Sequence, residues 1–227
     1  QVQEDLEGLF TSMGFMMLDA PELESDFYNF TALNIPPSHP ARDMQDTFYI
    51  EGKTPNPGSE ETAWVMRTHT STFQVRAMRK YGVPLRAIVP GRCFRNEATD
   101  AAHETNFYQF EGLMVGAGVS FANLKSVITG FCACFFEKDV EVRFRPSYFP
   151  FTEPSVEVDI RMANGTWMEV MGAGMVHPSV FEGVGYDPKA ISGFAFGGGL
   201  DRFAMLKYGI PDIRLFYGAD LRFNNQF

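Results

Sequence analysis

Between Gly91 and Gly112 the chain reads GRCFRNEATDAAHETNFYQFEG, which sets arginines, carboxylates, a glutamine and a histidine among aromatic residues. Side chains alternate along a strand. Cys93, Arg95 and Glu97 therefore share one face of an outgoing strand, and Phe107, Gln109 and Glu111 share one face of the return. If both sets lie on the same sheet face, it presents Arg95, Glu97, Gln109 and Glu111 together, with the ring of Phe107 beside them. Charges on a covered sheet face are costly unless they pair with one another or meet a ligand. Two readings follow: an internal arginine–glutamate network, or a polar ligand site. The connecting loop ATDAAHET adds Asp100 and His103, which suits a mobile flap over a ligand.

A second segment has the chemistry for an anion. In GGGLDR, residues 197–202, a glycine-rich strand end runs into a helix with Arg202 in its first turn. Free backbone N–H groups at a helix start can meet an anion, and a guanidinium fork suits phosphate oxygens. Close packing of strand on helix asks for the same glycines. No G-x-x-x-x-G-K-[ST] occurs, and GAG at 116–118 lacks the third glycine and the context of a dinucleotide fingerprint.

These residues need a scaffold. The 227 residues, 45% of them hydrophobic, fit one domain spanning residues 1–227 with a full core, to which most of the 23 phenylalanines belong. A net charge of −9 makes the chain a poor binder of phosphate backbones by itself. Cys93, Cys132 and Cys134 are odd in number and lack metal-ligand spacing, so they read as free thiols of a reducing compartment. The opening QVQEDLEGLF shows no secretory signal, and no apolar run approaches the ~20 residues of a membrane span. The expectation is a cytoplasmic protein with no membrane association.

Leu6, Leu9, Phe10, Met13, Met16 and Met17 predict an opening amphipathic helix, and residues 29–46 an ordered loop. A strand, the flexible turn GKTPNPGSEE, another strand at 63–67 and a helix to Tyr81 follow. Phe121, Leu124, Ile128, Phe131 and Phe135 mark a second helix. Strands near 140–145, 155–162 and 166–171 come next, the last two joined by the Asn-Gly turn of ANGT. A final helix from Leu200 to Tyr208 closes at Gly209 and Pro211. Strands come in hairpins and helices between blocks of strands. That order predicts an α+β domain, an antiparallel β-sheet flanked by helices.

Together these pieces resemble the signatures of class II aminoacyl-tRNA synthetases, the hairpin with FRNE as motif 2 and GFAFGGGLDRFAMLKYGIPDIR as motif 3. NFTALNIPPSHPARDMQDTFY, RTHTS, FYQFEG, RFRPSYFPFTEPS, MEVMGAGMVHP and GIPDIRLFYGADLRF are similar, in the same order, to the bacterial phenylalanyl-tRNA synthetase α-subunit family. The resemblance covers Gly8 to Phe227 and implies an ATP-dependent ligase. It would activate L-phenylalanine as phenylalanyl-adenylate and pass the acyl group to tRNA(Phe). The alternative is a non-catalytic paralogue that binds a ligand or regulates a partner.

The roles below are what the resemblance implies. Arg95 would grip the α-phosphate and the amino acid carboxylate, and Arg202 would stack over the nucleotide and reach the γ-phosphate. Glu97 would meet the adenine amino end, Phe107 would stack on the base, and His103 would lie near the phosphates. His69, Ser71, Gln109 and Glu111 would hold the ammonium and carboxylate. Phe149 and Phe151, pointing the same way on a strand, would receive the substrate ring edge to face, with Ala195 flooring the pocket. Glu153 would be the Mg²⁺-linked carboxylate, with Glu169 a weaker metal candidate or a hairpin salt bridge. Gln45, where some relatives carry an aromatic, would make one pocket wall more polar. A β subunit is the expected partner in an αβ heterotetramer. The first helix and the loop to Tyr49 would form the dimer contact; exposed Met13, Phe15 and Met16 would suit such an interface, and ordinary core packing explains them equally well. The long helical arm that usually opens such α subunits has no counterpart in these residues, which is expected to weaken tRNA binding by this chain alone.

Overall fold

The computed structural model describes residues 1–42, 47–52, 63–136, 140–162 and 165–226. Helix α1 (Val2–Ser12) leads to β1 (Met16–Met17), β2 (Leu23–Ser25), the short α2 (Asp26–Asn29), β3 (Tyr49–Ile50) and β4 (Trp64–Met66). A 3-10 turn at Thr70–Thr72 opens α3 (Phe73–Tyr81), followed by the long hairpin β5 (Leu85–Phe94) and β6 (Asn106–Gly116). Helix α4 (Phe121–Phe136), β7 (Val142–Phe149), β8 (Thr152–Arg161), β9 (Trp167–Val176), α5 (Pro178–Glu182) and β10 (Ser192–Gly199) come next. The short α7 (Arg214–Tyr217) and α8 (Leu221–Asn224) follow α6 (Leu200–Tyr208).

Seven strands form the main sheet in the order β1-β5-β6-β10-β9-β8-β7. Every pairing is antiparallel except that of the two-residue β1 with β5, and β2-β4-β3 make a small second sheet. Helices α1, α4 and α6 cover one face, where Leu6, Phe10, Leu124, Ile128, Phe131 and Phe203 pack on Ile88, Phe110, Phe194 and Phe196. The ring of Phe10 lies 4.7 Å from that of Phe131 and 5.4 Å from that of Phe196. On the opposite face α3 and α5 cover only one end, with Phe73, Met78, Val180 and Phe181 against Ala87, Val89, Leu113 and Ala195. The remainder of that face is where the polar residues stand.

The local sequence explains several boundaries. Gly209 ends α6 in the left-handed region at φ 68°, and Pro211 prevents continuation. Gly165 takes φ +83° in the β8–β9 turn, whose Asn164 lies outside the described residues. Other expectations change. The opening helix stops at Ser12, because Gly14 turns the chain at φ +82°, and Met16 and Met17 pair with β5 instead. Of the two readings of Phe15, core packing holds: it is buried against Phe10. The segment from residue 29 holds helical turns at Thr31–Leu33 and Pro40–Arg42, so prolines punctuate short helices there rather than a plain loop. Gln45 and most of GKTPNPGSEE lie outside the described residues.

Candidate active site

Register assembles the floor. Gly197 on β10 stands opposite Glu111 on β6 and Gly172 on β9, and Gly172 stands opposite Glu157 on β8. This row across the sheet has side chains at its ends and only hydrogen in the middle. A Cβ on Gly172 would fall 2.7 Å from Cζ of Phe149, so the glycine gives that ring its place. Cys93 pairs with Phe107, and Gly91 with Gln109. The expected common face is therefore formed, although β5 ends at Phe94 and Arg95 extends past it, held by its N–H on Thr105 O at 2.8 Å.

Two cavities open on this face. The larger, about 440 Å³, is lined by His69, Ser71, Arg95, Gln109, Glu111, Phe149, Phe151, Glu169 and Ala195 among others. The smaller, about 200 Å³, is lined by Arg95, Glu97, Ala102, His103, Phe107, Asp201, Arg202 and Ile213 among others. Arg95 belongs to both. Its Nε donates to Thr68 O at 3.2 Å, and its guanidinium lies 4.9 Å from the centre of the Phe107 ring. Among the described residues neither Arg95 nor Arg202 has a carboxylate within ion-pair distance, whereas Arg76, Arg92, Arg143, Arg145, Arg161, Arg214 and Arg222 are all paired. Two unneutralised guanidiniums on one cavity of a chain carrying −9 are suited to a polyanionic ligand.

The larger cavity has a polar end. Ser71 Oγ donates to Glu111 Oε2, and Gln74 Nε2 donates to Glu111 Oε1 at 2.5 Å. Burial nevertheless pushes Glu111 up to about 7, against those two hydrogen bonds. His69 lies where β4 passes into the 3-10 turn, and burial, reinforced by the charges of Arg95 and Arg67, drives it down to about 3. Its imidazole is therefore neutral at physiological pH. The Asn29 backbone lies near, yet neither ring nitrogen makes a well-formed hydrogen bond among the described residues, and Oε1 of buried Gln74 has none either. Orphaned buried polar atoms beside a cavity call for a polar ligand.

At the other end Phe149 and Phe151 lie 6.1 Å apart at 24°. They do not share a strand: Phe149 ends β7 and Phe151 sits in the turn before β8. The turn brings together what strand alternation was expected to align.

The structure separates Glu153 from this group. Glu153 is 75% exposed and 3.4 Å from Nε2 of His177, whose Nδ1 accepts the Ser179 N–H and so places the ring proton on the glutamate side. Glu169 does border the larger cavity, 3.4 Å from Arg145 and raised by burial and by the neighbouring Glu157. Among the described residues no three His, Cys, Asp or Glu side chains are placed to hold a metal ion, so this chain's residues do not fit a self-contained Mg²⁺ cage. His103 and Asp100 pair with each other at 3.0 Å, and Ile213 N–H on Ala101 O ties their loop to the segment after α6.

Sequence reasoning missed Gln74 and Asp201. Gln74 follows Ser71 by three residues, one helical turn on, which was the available signal. The Asp201 carboxylate accepts the Tyr108 N–H and the Tyr217 hydroxyl, each at 2.8 Å, fixing the start of α6 against β6 and α7. Nothing local in the sequence announces that contact.

A helix-backed antiparallel sheet that brings an unpaired arginine from each of two distant segments to one cavity has the architecture of a class II aminoacyl-tRNA synthetase core. The fold is shared with pyrrolysyl-tRNA synthetase from Desulfitobacterium hafniense, at a TM-score of 0.71 over 94% of this chain and 70% of that one; at 17% identity the likeness is one of fold. The chain belongs to the family of tRNA synthetases class II core domain (F), whose model matches residues 1–227. It is 55% identical over 99% of its length to the phenylalanine–tRNA ligase alpha subunit of Laribacter hongkongensis, and 54% identical over the same share to that of Chromobacterium violaceum. It spans 65% of the length of each of these curated relatives.

Proposed function

We propose that this chain is the catalytic core of a phenylalanine–tRNA ligase α subunit. The observation that carries the reading is the position of Arg95 in the walls of both cavities. Phenylalanine in the larger cavity and ATP in the smaller would bring carboxylate and α-phosphate together at one guanidinium. A carboxylate oxygen attacks the α-phosphorus, the new C–O–P linkage forms, and the P–O bond to pyrophosphate breaks. The acyl group then moves to a ribose hydroxyl of the 3′-terminal adenosine of tRNA(Phe), releasing AMP. The protein's part is alignment and neutralisation of charge on the phosphates.

In this reading His69, Ser71, Gln109 and Glu111 hold the ammonium and carboxylate, with Gln74 fixing Glu111. Phe149, Phe151 and Ala195 enclose the ring. Phe107 stacks on adenine, Glu97 meets its amino group, and Arg202 and His103 face the phosphates. Mg²⁺ would arrive with the triphosphate, and Glu169, on the wall of the larger cavity, would add at most a single ligand. The curated relatives are named as alpha subunits, which supports a β partner here. A cytoplasmic location fits a soluble ligase of this kind. The non-catalytic alternative is disfavoured, because a chain that no longer bound ATP would have no use for unpaired Arg95 and Arg202 on one cavity.

The test is phenylalanine-dependent exchange of labelled pyrophosphate into ATP by the full-length protein, with and without its β partner. Exchange with phenylalanine and not with tyrosine is expected. Absence of exchange in the presence of the partner would overturn the reading.

A further inference from the structure

Behind the larger cavity lies a guanidinium with no counter-ion. Arg67, just after β4, is 2% exposed. Its Nε donates to Arg92 O at 2.6 Å and its Nη1 to Ala20 O at 2.8 Å. Gly91 makes the room, since a Cβ there would fall 2.1 Å from Nη2. No carboxylate reaches it among the described residues: Glu22 pairs with Arg92, Glu24 with Arg76, and Glu111 accepts from Ser71 and Gln74. A buried charge without a partner is strongly unfavourable unless something nearby offsets it. Main-chain carbonyls supply dipoles but no net charge. The guanidinium lies over Gly91, which stands opposite Gln109 of the cavity wall, and Cys93, two residues on along the same face, donates its thiol to Oε1 of Gln109 at 3.4 Å. The charge is also felt at His69 in the same wall.

We propose that Arg67 is a positioning residue that provides, from behind the wall, the counter-charge for the carboxylate of the bound amino acid, acting through Cys93, Gln109 and His69 rather than by contact. This rests on the reading of the larger cavity as the amino acid site. Selectivity for a free carboxylate is then set partly by a residue that never touches the substrate.

Calorimetry on the full-length protein with its partner subunit tests this, comparing L-phenylalanine with L-phenylalaninol, which keeps ring and ammonium but replaces carboxylate by CH₂OH. In Arg67→Met the preference for phenylalanine over phenylalaninol should fall at least tenfold, about 1.4 kcal/mol, while phenylalaninol binds within threefold of the parent. Arg67→Lys, which keeps the charge but loses the fork, should retain the preference within threefold. An unchanged preference in Arg67→Met overturns the proposal. If Arg67→Met does not fold, Arg67→Lys decides: a preference lost along with the fork makes Arg67 a packing residue only. Failure of the parent to bind phenylalanine would instead sink the assignment of the cavity and leave nothing for Arg67 to assist.

Discussion

Glu111 is the residue whose chemistry is most open to measurement. An ordinary glutamate ionises near 4.5, and burial holds this one to about 7. Between those values the folded state binds a proton that the unfolded chain has released, so this group's contribution to stability declines as pH rises from 4.5 to 7. An ammonium ligand reverses the preference by favouring the carboxylate. Affinity for phenylalanine should therefore rise about tenfold from pH 6 to pH 8 and level off above, following ionised fraction. His69, neutral throughout that range, adds nothing to the slope. Glu111→Gln should flatten the profile, as read by calorimetry in a pH series.

The two arginines should separate in kinetics. Arg202 lines the smaller cavity and not the larger, whereas Arg95 lines both. Arg202→Ala is expected to raise the KM for ATP at least tenfold with little change for phenylalanine, and Arg95→Ala to impair both substrates. A lost hydrogen bond to a charged group costs ~1.5–3 kcal/mol. Pyrophosphate exchange at varied concentrations of each substrate reads the difference. At Ala195, 2% exposed, a valine should exclude the phenyl ring and a glycine should admit para-substituted phenylalanines, measured by the same exchange with each amino acid.

Among the strands, the glycines of β9 and β10 act as a set. Gly172 and Gly197 face each other, and their missing side chains keep the floor between Glu111 and Glu157 flat enough for a ligand. Gly172→Ala puts a methyl into the ring of Phe149. Overpacking of this sort destabilises by ~1–3 kcal/mol, and a displaced Phe149 should weaken phenylalanine binding while leaving ATP alone. Urea unfolding midpoints and the two KM values together distinguish a displaced ring from a loosened sheet. Period-two alternation put Arg95, Gln109 and Glu111 on one face before any coordinates, and the helical spacing of Leu124, Ile128 and Phe131 placed α4. What alternation could not supply was the β7–β8 turn, which stacks Phe149 on Phe151 across a chain reversal, or the early end of α1, where a glycine turn outweighs methionine periodicity.

For the molecule entire, charge governs what this chain can do alone. With −9 overall, and with seven arginines held in ion pairs among the described residues, the chain is a poor binder of a tRNA backbone by itself. If amino acid activation uses residues of this chain, as proposed, it should proceed without tRNA. Binding of tRNA by the chain alone should be weak and strengthen at least tenfold with the β partner, measured by filter binding at a stated salt concentration. From its residues alone this sequence determined its family, its strand-and-helix order and most of the side chains that line the two cavities, because those depend on local periodicity and on which functional groups are present. Only the tertiary structure decided which of them meet. It placed Arg95 between two cavities, left Glu153 outside both, anchored Asp201 to Tyr108 and Tyr217, and buried Arg67 without a counter-ion. Such relations depend on the register and packing of segments far apart in the chain, and no short window of sequence contains them.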